Sequence, residues 1–235
     1  MDRPARYAEI EQLKNELLGS LSHEMRTPLA TIKAYASTLR SNPDALAGER
    51  DEYLATIERQ ADRLARFVDD LLLLGRVDAQ HLLARRVNVT VDYLLDAAQE
   101  RLGGAATARI ERHATHVQLD GDPELLADAL MHLVDNALKF SAPQTHVRIE
   151  ARAEGKRVAV AVHDRGIGIL PEHLPYIFER FYRVERNLAA PASGSGLGLA
   201  IAREIVQAHG GTLQVESVPQ QGSTFTMAFP MREGA

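Results

Sequence analysis

Ser22-His23-Glu24-Met25-Arg26-Thr27-Pro28-Leu29 lies inside a run in which Ile10, Leu13, Leu17, Leu21, Met25, Leu29, Ile32, Ala36 and Leu39 recur three or four residues apart. That period predicts one long helix from about Tyr7 to Leu39. At about 100° per residue, His23 falls roughly opposite the centre of the apolar stripe, and Thr27, about 40° round from it, shares its face. Near neutral pH an ordinary imidazole is mostly uncharged, so one ring nitrogen keeps a free lone pair while the other carries a proton. Glu24 stands next to it, able to hold that proton and to stabilise positive charge growing on the ring during attack on phosphorus. A histidine beside a glutamate on a helix is by itself an ordinary surface pair, and only other motifs in the chain can give it a function. Pro28 has no N–H to give the carbonyl of Glu24, so a bend is expected one turn after the histidine.

Beyond this helix, Ser41-Asn42-Pro43-Asp44 and Gly48 interrupt the pattern. Leu54, Ile57, Ala61, Leu64, Val68 and Leu71 then alternate spacings of three and four, the period of a helix-pair seam. Two such helices joined by a short loop carry more apolar surface than they can hide alone, so a dimeric four-helix bundle is expected. After Gly75 the pattern changes. Arg86–Val91 reads as a strand, Asp92–Leu102 as a short helix and Val117–Leu119 as a brief strand. Asp122-Pro123 reads as the cap and first turn of a helix ending at Phe140. Val147–Ala153, Val158–Val162, Thr212–Glu216 and Ser223–Phe229 alternate as strands of an essentially antiparallel sheet. The fold class is therefore α+β: a helical hairpin, residues 1–80, followed by an α/β sandwich, residues 81–235, with the boundary near Leu74–Leu82.

Composition narrows the function. The 235 residues are 45% hydrophobic and 25% charged, carry a formal net charge of −5 and contain no cysteine. No nucleic acid partner is expected without a basic patch, and disulfides, thiolate metal sites and cysteine nucleophiles are excluded. Apolar runs such as Leu71–Leu74 fall far short of the roughly 20 residues that cross a bilayer, and the polar stretch Met1–Ile10 does not read as a signal peptide. A cytoplasmic location is expected, with membrane attachment only through a sensor segment outside this chain.

Three further motifs describe a nucleotide site. On the helix ending at Phe140, His132, Asn136 and Lys139 line up opposite the apolar face, where an amide oxygen suits Mg²⁺ and an ammonium reaches phosphate. Asp164-Arg165-Gly166-Ile167-Gly168-Ile169 follows a strand. Its ionised carboxylate only accepts hydrogen bonds and so selects the amine of adenine over the carbonyl of guanine, while the glycines admit a base or ribose closely. Gly194-Ser195-Gly196-Leu197-Gly198-Leu199 precedes a helix whose N-terminal amides and dipole favour phosphate. Between them, Ile177-Phe178-Glu179-Arg180-Phe181-Tyr182-Arg183 offers two core aromatics and, in Arg183, a guanidinium for a leaving phosphoryl group. Val184–Ser193, rich in Ala, Pro and Ser, reads as a mobile lid.

The five motifs in this order closely resemble the H, N, G1, F and G2 boxes of bacterial two-component sensor histidine kinases, almost end to end. The resemblance implies a dimerisation and histidine phosphotransfer hairpin, then a Bergerat-type ATP-binding domain using ATP and Mg²⁺, with an aspartate of a response regulator receiver domain as final acceptor. It makes His23 the phosphoacceptor, Glu24 its general base and Thr27 the residue that positions water when the regulator is dephosphorylated. It makes Asn136 the metal ligand, with His132 beside it, and Asp164 the adenine reader. Lys139, Tyr182 and Arg183 approach the nucleotide, with Gly166, Gly168, Gly194, Gly196, Leu197 and Gly198 in the two glycine turns. One position departs: His132 stands where the family usually has an asparagine, which predicts a magnesium dependence sensitive to pH in the histidine range. Two other functions share parts of this pattern. Clamp ATPases of the chaperone and DNA-repair kind have the ATP fold without the hairpin, and an ATP-binding-deficient phosphotransfer or scaffold protein has lost the glycine turns and Asp164.

Overall fold

The computed structural model describes residues 3–42, 47–78, 86–113, 116–184 and 194–231. The chain divides into two compact units, Met1–Leu72 and Leu73–Ala235. The first is built on α1, Arg3–Ser41, and α2, which runs Ala47–Asp78 and passes the division. The ring centroids of Tyr35 and Tyr53 are 5.3 Å apart, and Arg63 Nη2 lies 3.4 Å from Glu24 Oε2. Each pair joins residues about equally far from the loop, so the helices run antiparallel as a hairpin. The helix continues unbroken through Pro28, which is buried. Along α2, Ile57, Leu64 and Leu71 are half-buried and Phe67 is buried, whereas Leu54, Val68 and Leu72 keep 48%, 39% and 63% of their surface exposed. The apolar seam thus splits between a face turned to α1 and a face left uncovered within one chain.

The second unit contains β1 (Val87–Thr90), α3 (Val91–Leu102), α4 (Gly104–Thr107), β2 (Ile110–His113), β3 (Gln118–Gly121) and α5 (Pro123–Phe140). β4 (Val147–Glu154), β5 (Arg157–His163), α6 (Gly198–Ala208), β6 (Thr212–Val218) and β7 (Gly222–Pro230) complete it. β1 and β3 form a two-stranded antiparallel ribbon, and the main sheet has the order β2-β4-β5-β7-β6. This sheet is mixed rather than wholly antiparallel, because β2 pairs parallel to β4, Ile110 opposite Val147. Ile110 is half-buried and the other three β2 residues are exposed and polar, so the strand carries almost no apolar alternation by which a sequence reveals it.

Register places Ile149, Val162, Phe225 and Val215 in one row and Ala151, Val160, Met227 and Leu213 in the next. These rows meet α5 and α6, whose Leu126, Leu130, Leu133, Ile201 and Ile205 are fully buried. A slip of one residue would turn each row to the opposite face, so the core itself holds the register. Thr90 and Asp122 cap α3 and α5 as N-terminal oxygens should: Thr90 accepts from Tyr93 N, and Asp122 from Glu124 N and Leu125 N. His209, just past α6, ties the two main helices together. Its Nε2 accepts from Asp122 N at 3.0 Å while its Nδ1–H donates to Ile205 O at 2.7 Å, and burial holds its pKa below the usual value.

Candidate functional site

The end of β5 delivers Asp164 into the interior of its unit. Its residue surface is 8% exposed, its N–H donates to Ser223 O at 2.9 Å, and Oδ1 accepts from Gly166 N at 2.7 Å. Burial pushes the carboxyl above its usual pKa, opposed by hydrogen bonds from Gly166 and from the backbone and hydroxyl of Ser223. A carboxylate held at this cost is one that a further N–H donor stabilises. Ser223 belongs to none of the motifs; it reaches Asp164 only because the β5–β7 register sets His163 opposite Thr224. Gly222, next to it, has φ +110°, and a Cβ there would stand 2.1 Å from the Asp164 carbonyl oxygen, so only glycine lets β7 pass under this turn.

The other motifs converge on the same place. The turn after Asp164 is joined to the end of α5 through Ile167 N, which donates to Phe140 O, and through the Ser141–Gly166 bridge. Midway along α5, His132 is 8% exposed, and its Nδ1 lies 3.1 Å from where a Cβ of Gly198 would stand, so the ring packs on the first residue of α6. Burial outweighs the nearby Asp135 and brings its pKa from 6.5 to about 4. A ring with that pKa is neutral from pH 6 upward, so its own titration falls below the range in which a magnesium response was expected. The polar stripe read on α5 is therefore not a solvated face: His132 is buried, Asn136 is half-buried one turn on, and Lys139 is exposed and paired with Asp135.

The segment before the expected lid is anchored at the second glycine turn, on α6 and on β7. Phe181 N donates to Gly196 O at 2.9 Å, and Phe181 has φ 65°, a conformation unfavourable for an aromatic residue and held here by its surroundings. Arg180 donates to Glu204 Oε1 of α6 through Nε at 3.0 Å and Nη2 at 2.6 Å. Phe178 meets Phe225 edge-on at 6.3 Å with the Arg203 guanidinium 5.8 Å from its centre. Phe178 and Phe181 are both half-buried, so the packing role expected of them is partial. Tyr182 hydrogen-bonds His173 Nδ1 through its hydroxyl at 2.8 Å and lies 5.6 Å from the ring of Tyr176. Arg183 is exposed, Leu197 is fully buried beneath the turn, and Gly194, Gly196 and Gly168 line the two loops at intermediate exposure. Of the expected lid, residues 185–193 lie outside the described residues.

In the first unit the His23 side chain is 78% exposed and that of Glu24 only 12%. His23 Nδ1 is 4.0 Å from Glu24 Oε1, while Glu24 Oε2 faces Arg63 of α2. Thr27 Oγ1 donates to His23 O at 3.3 Å and remains exposed one turn on. Among the described residues there is no group of three or more His, Cys, Asp and Glu that would cage a metal.

Residues 13–80 match the His Kinase A (phospho-acceptor) domain, and residues 121–233 match the domain of histidine kinase-, DNA gyrase B- and HSP90-like ATPases. The chain belongs to the sensor histidine kinase family. The hairpin match in front of the ATPase match separates this histidine kinase core from the clamp ATPases. The phosphate regulon sensor protein PhoR of Pseudomonas aeruginosa is 36% identical over 228 residues, covering 95% of this chain and 52% of PhoR. This chain spans about half the length of the curated relatives it matches. The mycobacterial sensor histidine kinase MprB is 30% identical to it in a solved structure with TM-score 0.54, covering 63% of this chain and 99% of that one. The histidine kinase ThkA, solved in complex with the response regulator protein TrrA, superposes with TM-score 0.72 over 96% of this chain and 64% of that one. At 19% identity that likeness concerns the fold.

Proposed function

We propose that this kinase core transfers the γ-phosphoryl group of ATP to His23 and from there to an aspartate of a response regulator receiver domain, and that it also dephosphorylates that regulator. The observation that carries the reading is the exposed His23 ring with the carboxylate of Glu24 beside it, on a chain whose other unit gathers Asp164, Asn136 and both glycine turns. With Nδ1–H directed to Glu24, Nε2 keeps the lone pair. It forms the new bond to phosphorus as the bond from phosphorus to the bridging oxygen breaks, ADP departs, and the Nδ1 proton passes to Glu24. Domain limits of 1–80 for phosphotransfer and 81–235 for ATP binding accompany this reading.

In the nucleotide site Asp164 accepts from the adenine amine. Gly166 and Gly168 admit the base and sugar, and Gly194, Gly196, Leu197 and Gly198 turn their amides to the phosphates ahead of α6. Lys139 leaves Asp135, and Tyr182 leaves His173, to approach the nucleotide, while Arg183 stabilises charge on the phosphoryl group in transfer. The donor set fits Mg²⁺. This ion is commonly held by one or two protein oxygens plus substrate phosphates, and Asn136 offers such an oxygen without a protein cage. His132, neutral and a poorer donor for a hard cation, stands one turn before it as the second candidate contact. The ion's contribution is to neutralise charge on the phosphate oxygens.

A homodimer through the hairpin is supported by the apolar side chains of Leu29, Leu54, Val68 and Leu72, all exposed within one chain. A response regulator partner is supported by the family and by the ThkA–TrrA complex. No described helix is long and apolar enough to cross a membrane, and we assign the reaction to the cytoplasm, where ATP is. Incubation with γ-labelled ATP and Mg²⁺ tests the reading. Label stable to base, labile to acid and absent from His23→Gln is expected. Label at the wild-type level in that variant refutes it, and absence of nucleotide binding by the wild type favours a phosphotransfer or scaffold protein instead.

A further inference from the structure

Glu24 and His23 are neighbours in the chain, yet they differ sharply in exposure: the histidine side chain is 78% exposed and the glutamate only 12%. A carboxylate drawn in against a second helix loses hydration and needs compensation from a cation or N–H donors. Arg63, on α2, supplies a cation. Its Nη2 lies 3.4 Å from Glu24 Oε2, close enough to donate, and its own side chain is 29% exposed. The two oxygens of one carboxylate are therefore divided, Oε2 toward Arg63 and Oε1 toward His23 Nδ1 at 4.0 Å.

We infer that Arg63 is a positioning residue for the phosphoacceptor, acting through Glu24. By holding Oε2 it limits rotation of the carboxylate, so that Oε1 stays on the Nδ1 side of the ring and biases His23 toward the tautomer with the proton on Nδ1 and the lone pair on Nε2. Without Arg63 the carboxylate loses a cation that offsets its lost hydration, so rotation outward into water becomes more favourable than it is in the wild type. Arg63 is thus a determinant of how readily His23 is phosphorylated, acting on the Glu24 carboxylate rather than on the histidine ring. This inference rests on the proposed function, in which Glu24 assists His23. It adds a residue 39 positions away in sequence that no motif indicated.

The test uses the whole chain labelled with ¹⁵N-histidine. The His23 ring shifts, which report the tautomer, are measured at fixed pH without nucleotide, and autophosphorylation rates are measured at saturating ATP. The variants are Arg63→Met, Arg63→Lys, Glu24→Gln and the Arg63→Met/Glu24→Gln double variant, each checked for wild-type helicity. Expected for Arg63→Met are ring shifts moved toward those of Glu24→Gln and a rate lower by about tenfold, with KM for ATP unchanged. Arg63→Lys should restore most of both. The double variant should be no slower than Glu24→Gln alone, because Arg63 acts only through that carboxylate. A His23 ring that is unmoved in Arg63→Met but moved in Glu24→Gln overturns the role of Arg63 while leaving Glu24 its part. A ring unmoved in both overturns the assistance by Glu24 and the inference with it. Equal rate losses from Arg63→Met with and without Glu24 would mark Arg63 as merely structural.

Discussion

The neutral, buried His132 makes the ATP-binding unit sensitive to acid, and its environment sets the size of the effect. In the folded protein its pKa is lowered from 6.5 to about 4, chiefly by burial. Its contribution to stability is therefore complete above the unfolded value and is lost as pH falls toward the folded one, because the unfolded chain takes up the proton first. Between pH 7.5 and pH 5 such a group costs the folded state about 2 kcal/mol, a large part of the margin of an ordinary domain. Asp164, whose pKa is raised, works in the opposite direction at the acid end, but equally in any variant that leaves it in place. The comparison that isolates His132 is wild type against His132→Asn, using urea unfolding followed by hydrogen exchange of α5 peptides so that only this unit is read. The asparagine variant is expected to lose about 2 kcal/mol less than wild type over that pH interval, whatever its stability at pH 7.5. Parallel stability–pH curves for the two proteins would refute the assignment of a buried, neutral ring. The same reasoning predicts that the Mg²⁺ requirement of the wild type does not change between pH 6 and pH 8, so that His132→Asn has no pH response there to remove.

Gly222→Ala should destabilise the ATP-binding unit by about 3 kcal/mol and weaken nucleotide binding, measured by thermal unfolding and calorimetric titration, because the added Cβ meets the Asp164 carbonyl at 2.1 Å in a backbone with φ +110°. Wild-type stability there would contradict the described turn. Val68→Glu combined with Leu72→Glu should convert a dimer into monomers by light scattering while leaving helicity in place. Each buried aliphatic side chain is worth about 1.5–3 kcal/mol, and symmetry counts each twice. An unchanged dimer would move the interface elsewhere. Thr27→Ala removes a long, exposed hydrogen bond and should leave stability within about 0.5 kcal/mol of wild type. It should slow regulator dephosphorylation roughly tenfold and spare autophosphorylation; equal losses in both would give Thr27 a structural role at Pro28 instead.

Much of this architecture is legible in residue order because it depends on local periodicity. The three-and-four spacing of α1 and α2, the Asp122-Pro123 start of α5 and the alternating residues of β4, β5, β6 and β7 each reflect which side of one element must leave water. The motifs around His23, Asn136, Asp164, Phe178 and Gly194 are likewise readable, since the chemistry requires those residue types at close range along the chain. Folding in three dimensions decides what periodicity does not carry. Strand β2 escapes a reading of the sequence because three of its four residues face solvent, and its parallel pairing with β4 arises from chain path alone. His132 has the spacing of a solvated stripe, yet α6 covers it, and the resulting loss of hydration, rather than its place on α5, sets its charge. Ser223 reaches Asp164 by strand register, and Arg63 reaches Glu24 by the antiparallel packing of the hairpin. Residue order thus determined the elements and the reactive groups, because those depend on a side chain's own chemistry and its nearest neighbours in the chain. Tertiary structure decided protonation, orientation and pairing, because these depend on which distant groups displace water around each side chain.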